Sequence, residues 1–126
     1  PEFKRLSSHA KDNIENIEYV ISNDSNRMGI RLEGPRLAIN ESGDMISGPV
    51  FTGTIQCPEN GLPILLGPDA QTLGGYPRIF QAVKADRTLI GQMRPGDQLK
   101  FQRVSIEEAE KLWLNMALSF PFLSKI

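Results

Sequence analysis

Cysteine and histidine are almost missing from this sequence, with Cys57 and His9 the only representatives of each. A single cysteine excludes an internal disulfide and any zinc cluster built on cysteines. The one histidine lies in a polar leader segment, Ser7-Ser8-His9-Ala10-Lys11-Asp12-Asn13, which leaves little scope for imidazole acid–base or metal chemistry. Charge of one sign is also lacking: 14 basic residues face 15 acidic ones, for a net charge of −1. That balance creates no field to gather nucleic acid or an anionic membrane surface, so neither is expected as a partner. No apolar run approaches the ~20 residues needed to cross a bilayer, and no secretory signal precedes the first strand-like pattern. A lone cysteine in such a chain fits a reducing, cytoplasmic setting. Catalytic signatures are absent too: no GxSxG elbow, no GxxxxGK[ST] phosphate loop, no HExxH and no EF-hand loop. Gly74-Gly75 lacks the strand–GxGxxG–helix context of a dinucleotide site. Cys57 has no neighbouring base to activate it and is read as a small residue at a strand end.

Glycine and proline, by contrast, are well supplied, with 11 and 9 residues among 126, a length suited to one domain. They punctuate a series of short alternating runs. Ile17, Tyr19 and Ile21 alternate with Glu18, Val20 and Ser22, which predicts a strand followed by the turn Asn23-Asp24-Ser25-Asn26. Gly29 to Gly34 alternates again, with Ile30 and Leu32 on one face and Arg31 and Glu33 on the other. A loop follows at 40–44. Short strands are expected at 53–56 and 63–66, joined by the turn Cys57-Pro58-Glu59-Asn60-Gly61. A longer strand is expected from Tyr76 to Val83. Asp86 is placed to cap a helical turn before residues 89–92, and a last strand is expected over 98–104 after the turn Arg94-Pro95-Gly96-Asp97. Ser105 with Glu108 forms a capping box for a terminal helix ending near Pro121. That helix lines up Ile106, Ala109, Leu112, Trp113, Met116 and Ala117 on one face, read as core contact, with contact to a partner protein as the alternative. Residues 1–16 are expected to form a flexible leader, with a helical extension over 10–15 as the alternative and Pro1-Glu2-Phe3 read as a cloning remnant. Residues 17–126 then form the domain. Many short strands, regular Gly/Pro turns and one C-terminal helix predict a mainly β fold, a barrel or a sandwich.

Four ordered segments stand out: Asn26-Arg27-Met28-Gly29-Ile30-Arg31-Leu32-Glu33-Gly34, then Gly53-Thr54-Ile55-Gln56-Cys57-Pro58-Glu59-Asn60-Gly61-Leu62-Pro63-Ile64, then Asp69-Ala70-Gln71-Thr72-Leu73-Gly74-Gly75-Tyr76-Pro77, then Arg94-Pro95-Gly96-Asp97. Together they resemble the family of KipA and the C component of 5-oxoprolinase, also known as allophanate hydrolase subunit 2 and carboxyltransferase-like. The resemblance runs from about Asn26 to Asp97 and covers the C-terminal part of the longer family members. Leu73 departs from the pattern where a second threonine is usual, and Cys57 where valine is common. The resemblance implies a closed cyclophilin-like β-barrel and a KipI-like partner, the B component of 5-oxoprolinase, with a protein like its A component beside it. It implies three roles: part of an ATP-dependent 5-oxoprolinase complex, the carboxyltransferase region of a urea carboxylase, or a regulator that binds an antikinase and relieves a histidine kinase. In each, ATP or biotin belongs to the full complex, and this segment is not expected to bind a cofactor or to be catalytic alone.

The chemistry of the same residues agrees with a small amide ligand. Gln56 and Gln71 each offer a donor and an acceptor on one amide. Asp69 is placed to accept an N–H, and Thr72 adds a hydroxyl. Gly74 and Gly75 permit close approach and positive φ, and Tyr76 gives a flat wall with a polar tip. Structural readings stand beside these: a tight turn for Gly74-Gly75, backbone pairing at a barrel corner for Gln56, an Asx-turn for Asp69. Arg27 also fits a surface pair with a nearby acid, and Arg94-Pro95-Gly96-Asp97 fits a structural turn.

Overall fold

The computed structural model describes residues 2–40, 48–70 and 73–119, and the side chains of Leu73 and of residues 116–119 lie outside that description. The chain opens with a 3-10 turn at Phe3–Arg5, helix α1 at Ser8–Asn13 and a second 3-10 turn at Ile14–Asn16. Ser7 caps α1, its hydroxyl accepting the Ala10 N–H at 3.1 Å. Leu6, Ala10 and Ile14 all enter the main core, Leu6 from an extended bridge with Ile39, Ala10 from α1 and Ile14 from the 3-10 turn that follows it. Residues 3–16 are therefore not the loose leader that their polarity suggested. Three buried apolar residues anchor the segment, and α1 overlaps the alternative expected over 10–15. Glu2 and Phe3 take part as well: Glu2 pairs with Arg78, and the Phe3 ring lies 5.4 Å from that of Phe80.

Among the described residues eight strands follow, interrupted between β7 and β8 by a 3-10 turn at Lys84–Asp86 and helix α2 at Arg87–Gly91. The strands are β1 (Tyr19–Ile21), β2 (Gly29–Glu33), β3 (Gly48–Pro49), β4 (Thr54–Gln56), β5 (Ile64–Leu66), β6 (Leu73–Gly74), β7 (Arg78–Gln81) and β8 (Gln98–Leu99). Six form an antiparallel sheet in the order β7-β4-β5-β2-β1-β8, and β3 pairs with β6 separately. The expected closed barrel is not what the hydrogen bonds describe: the sheet has two edges, β7 and β8, with no ladder between them among the described residues. Both are poor edges for pairing, since β8 has two residues and β7 carries a bulge opposite Ile55 and Gln56. Aromatic side chains bridge the gap in part instead. Phe80 and Phe101 meet at 5.5 Å between ring centres, and Phe101 meets Tyr19 at 5.6 Å. The last strand, expected over 98–104, stops at Leu99 because its partner β1 ends at Tyr19.

The turns behave as their sequences predict. Gly61 and Gly96 take φ of 79° and 91°, in the left-handed region that favours glycine. The turn at Arg94–Asp97 is closed by Asp97, whose carboxylate accepts the Arg94 N–H at 2.8 Å, and its Gly96 N–H docks on the Ile21 carbonyl. The terminal helix α3 spans Ile106–Ser119 and begins with the predicted capping box: the Glu108 N–H donates to the Ser105 hydroxyl at 3.1 Å. Its apolar face meets the core only in part. Ala109 and Trp113 are half-buried, the latter under the Lys84 ammonium, whereas Ile106 is 81% exposed and Leu112 45%. The expected core contact thus fails at those two positions. Met116, Ala117, Pro121 and the loop expected at 40–44 fall wholly or partly outside the described residues or side chains. No helix among the described residues is long and apolar enough to cross a membrane.

Candidate functional site

Strand register sorts the four adjacent strands β2, β5, β4 and β7 into two faces. Directly opposed residues of an antiparallel sheet point the same way. Ile30, Leu65, Ile55 and Phe80 are opposed in turn and form a row on the core face. The next row, Arg31, Ile64, Gln56 and Arg78, points to the other side. The β7 bulge at Ile79 keeps Arg78 in line with Gln56 despite the extra residue.

That second face forms the floor of a recess of about 610 Å³. Its floor holds Gln56, Ile64 and Arg31, with Gly74, Gly75 and Tyr76 on one wall and Asn26 and Val50 among the other residues around it. The short β3–β6 pair supplies part of that wall, since Val50 follows β3 and Gly74 ends β6. Gln56 is 5% exposed, and its amide nitrogen has no hydrogen-bond partner among the described residues. A buried donor without an acceptor costs about 1–3 kcal/mol. Gly74 is what allows the Gln56 amide to sit there: a Cβ at position 74 would collide with it and crowd Val50 at 3.1 Å.

Four of the residues singled out in the sequence, Gln56, Gly74, Gly75 and Tyr76, thus line one recess. Gln71 and Thr72 lie outside the described residues. Asp69 is elsewhere engaged. Its carboxylate accepts from the Arg27 Nε at 2.7 Å on the open surface, and its N–H donates to the Arg27 carbonyl. Asp69 therefore belongs to the surface pair foreseen for Arg27, because the β2 hairpin brings position 27 beside the β5–β6 turn. The glycines also work differently from expectation. Gly74 does not take a positive φ, so it serves by close approach of a side chain and not by a left-handed turn.

Sequence reading missed Asn26 and Arg31 as neighbours of Gln56. Asn26 turns its carboxamide oxygen inward, accepting the Met28 and Gly29 N–H groups at 2.8 and 3.2 Å. Alternation already put Arg31 on the face away from Ile30 and Leu32, but its alignment with Gln56 depends on the pairing of three strands. Arg78, in the same row, is spoken for. Its Nε and Nη2 donate to the two carboxylate oxygens of Glu2 at 3.1 and 2.6 Å, and its Nη1 to the Pro49 carbonyl at 3.0 Å. Those hydrogen bonds hold the Glu2 carboxyl below its usual range.

Cys57 follows Gln56 but faces the protein. It is fully buried, and burial pushes its thiol up to about 11. It remains protonated at neutral pH and is no nucleophile. Tyr19, also fully buried, has a hydroxyl without a partner among the described residues and is pushed up to about 12 by burial, with Cys57 adding to the shift. Among the described residues no cluster of three or more histidine, cysteine, aspartate or glutamate side chains is placed to hold a metal ion.

Comparison with known proteins adds the following. Residues 1–103 match the family of the carboxyltransferase domain, subdomain A and B. The chain is 41% identical over 95 residues to the C component of 5-oxoprolinase from Haemophilus influenzae, covering 75% of this chain and 31% of that protein. It is 38% identical over 111 residues to the C component of 5-oxoprolinase from Escherichia coli, covering 88% of this chain and 36% of that one. It spans about a third of the length of these relatives. Among solved structures, the Kluyveromyces lactis urea carboxylase superposes with a TM-score of 0.86 at 22% identity, over 96% of this chain and 11% of that one, a likeness of fold alone.

Proposed function

The chain belongs to the carboxyltransferase domain family, subdomain A and B, and on that premise we propose that it holds a small amide ligand for a 5-oxoprolinase of several components. The observation that carries this reading is the buried Gln56 amide nitrogen on the floor of the recess, without a hydrogen-bond partner among the described residues. A buried donor left open awaits an acceptor, and a lactam carbonyl is one of the right shape and strength. Gly74 makes room for the amide, and Tyr76 walls the recess at its exposed edge. Gln71 and Thr72 join the proposal through their place just before β6. Asp69, tied to Arg27, is left at the rim.

The similarity to two C components of 5-oxoprolinase supports a role beside other proteins; the partners in this reading are a KipI-like B component and a protein like the A component. Among the described residues the recess offers one cationic side chain, Arg31, and no glycine-rich helix N-terminus, a set that does not fit a triphosphate or its Mg²⁺. ATP is therefore assigned to the partner proteins. The chain positions the amide, and the bond-breaking groups come from across the interface.

The test is Gln56→Leu in the complete complex. Turnover of 5-oxoproline is expected to fall about tenfold or more, as one hydrogen bond to the ligand is lost. The unfolding midpoint should hold or rise, because the change removes an orphan donor from the interior. Unaltered turnover overturns the reading. If the complex turns over no 5-oxoproline but the chain still binds a KipI-like protein, the role is regulatory instead.

A further inference from the structure

From the alignment of side chains across β2, β5 and β4 we infer that Arg31 is the specificity residue of the recess, taking a carboxylate on the same ligand whose amide carbonyl meets Gln56. The inference rests on the reading of Gln56 given above and adds the second half of the ligand. Arg31 opposes Ile64 on β5, and Ile64 opposes Gln56 on β4. The backbones of Arg31 and Gln56 are thus two strand spacings apart, about 9–10 Å. The Ile64 side chain lies between them as an apolar floor, half-buried at the centre of the row. A planar ring resting on Ile64 can present a carbonyl to one side and a carboxylate to the other.

Burial grades in the same direction. Gln56 is 5% exposed, Ile64 is half-buried and Arg31 is exposed, so the neutral donor lies deep and the cation at the mouth. A carboxylate at the mouth keeps part of its hydration and gains a charge-assisted, bidentate partner. The other cations nearby are already engaged: Arg27 binds Asp69, and Arg78 binds Glu2 and the Pro49 carbonyl. Arg31 has no ion pair among the described residues, and its backbone N–H, bonded to the Ser25 hydroxyl at 2.9 Å, holds its strand in place. The recess therefore selects a small cyclic amide bearing one anionic carboxylate. A neutral lactam, or urea, would satisfy Gln56 and leave Arg31 unused.

The experiment uses the complete complex with three probes: L-5-oxoproline, 2-pyrrolidinone (the same ring without the carboxylate) and urea. Wild type should bind L-5-oxoproline about tenfold more tightly than 2-pyrrolidinone, and urea more weakly than either. Arg31→Gln should raise the KM for L-5-oxoproline about tenfold and bring the two lactams to equal affinity, with 2-pyrrolidinone binding as before. Arg31→Lys should recover part of the difference, since it restores charge without the planar fork. If wild type does not separate the two lactams, or Arg31→Gln weakens both alike, the assignment of Arg31 is overturned. The reading of Gln56 is judged separately, by whether Gln56→Leu abolishes 2-pyrrolidinone binding. Loss there with no effect at Arg31 refutes only the carboxylate.

Discussion

The core face and the recess face of the same four strands differ by one residue in register and by almost everything in chemistry. Ile30, Leu65, Ile55 and Phe80 form an apolar row that packs with Leu6, Ile14, Leu37 and Ile90. Arg31, Ile64, Gln56 and Arg78 form a row with two guanidinium groups and an amide whose buried nitrogen has no partner among the described residues. A row of hydrocarbon stabilises by burial and tolerates no vacancy. A row with an unused donor costs stability, and such a cost persists where a ligand offsets it. The difference teaches that one ladder of backbone hydrogen bonds can serve as scaffold on one side and as recognition surface on the other.

The contrast breaks most sharply on the core side. Leu65→Ala should lower unfolding free energy by about 2–5 kcal/mol, measured by urea denaturation, since Leu65 is 3% exposed in the main cluster. An effect below about 1 kcal/mol there would show that this face is not the interior. Gly74→Ala should cost less, about 1–3 kcal/mol, because the added Cβ must push aside the Gln56 amide or Val50. Its larger effect should fall on ligand affinity, which separates the recess face from the core face. Stability lost with affinity kept would place the Gln56 amide outside the binding contact.

The smallest expected effect concerns the end of the recess row. Glu2 is held below the usual carboxylate range chiefly by its hydrogen bonds with Arg78. A carboxylate with a depressed folded pKa contributes stability above its unfolded value, about 4.3, and loses it as pH falls through the folded one. Acid titration followed by circular dichroism should therefore show a destabilising step below pH of about 4.3 that Glu2→Gln lacks. An unchanged acid limb in that variant would mean that the Glu2–Arg78 pair is silent, and that Arg78 is as free as Arg31.

Much of this was legible from local pattern. Alternation located β1, β2, β4, β5 and β7, and the spacing of Ser105 and Glu108 located the start of α3. The turns at Gly61 and Gly96 followed from residue type. The leader did not, because its polar composition hid the four-residue recurrence of Leu6, Ala10 and Ile14. The partial exposure of α3 did not either: amphipathicity shows that a face is apolar but not what covers it, and Ile106 and Leu112 remain largely open. Of the residues chosen for a site, Gln56 and Gly74 came together, whereas Asp69 was diverted by Arg27, a partner 42 residues away in sequence.

By itself, the amino-acid sequence located five of the strands, most of the turns and the polar side of β1 and β2, because these follow from nearest-neighbour sterics and the two-residue period of the pleat. It also left no second cysteine for an internal disulfide and carries no phosphate-loop motif. Tertiary structure decided which strands lie side by side and in what register. Register aligns Arg31 with Gln56 across Ile64, while the packing of the separate β3–β6 pair seats Gly74 against the Gln56 amide, whose nitrogen has no partner among the described residues. Hydrogen bonding between distant segments depends on the summed packing of the whole chain, and no local window contains that sum.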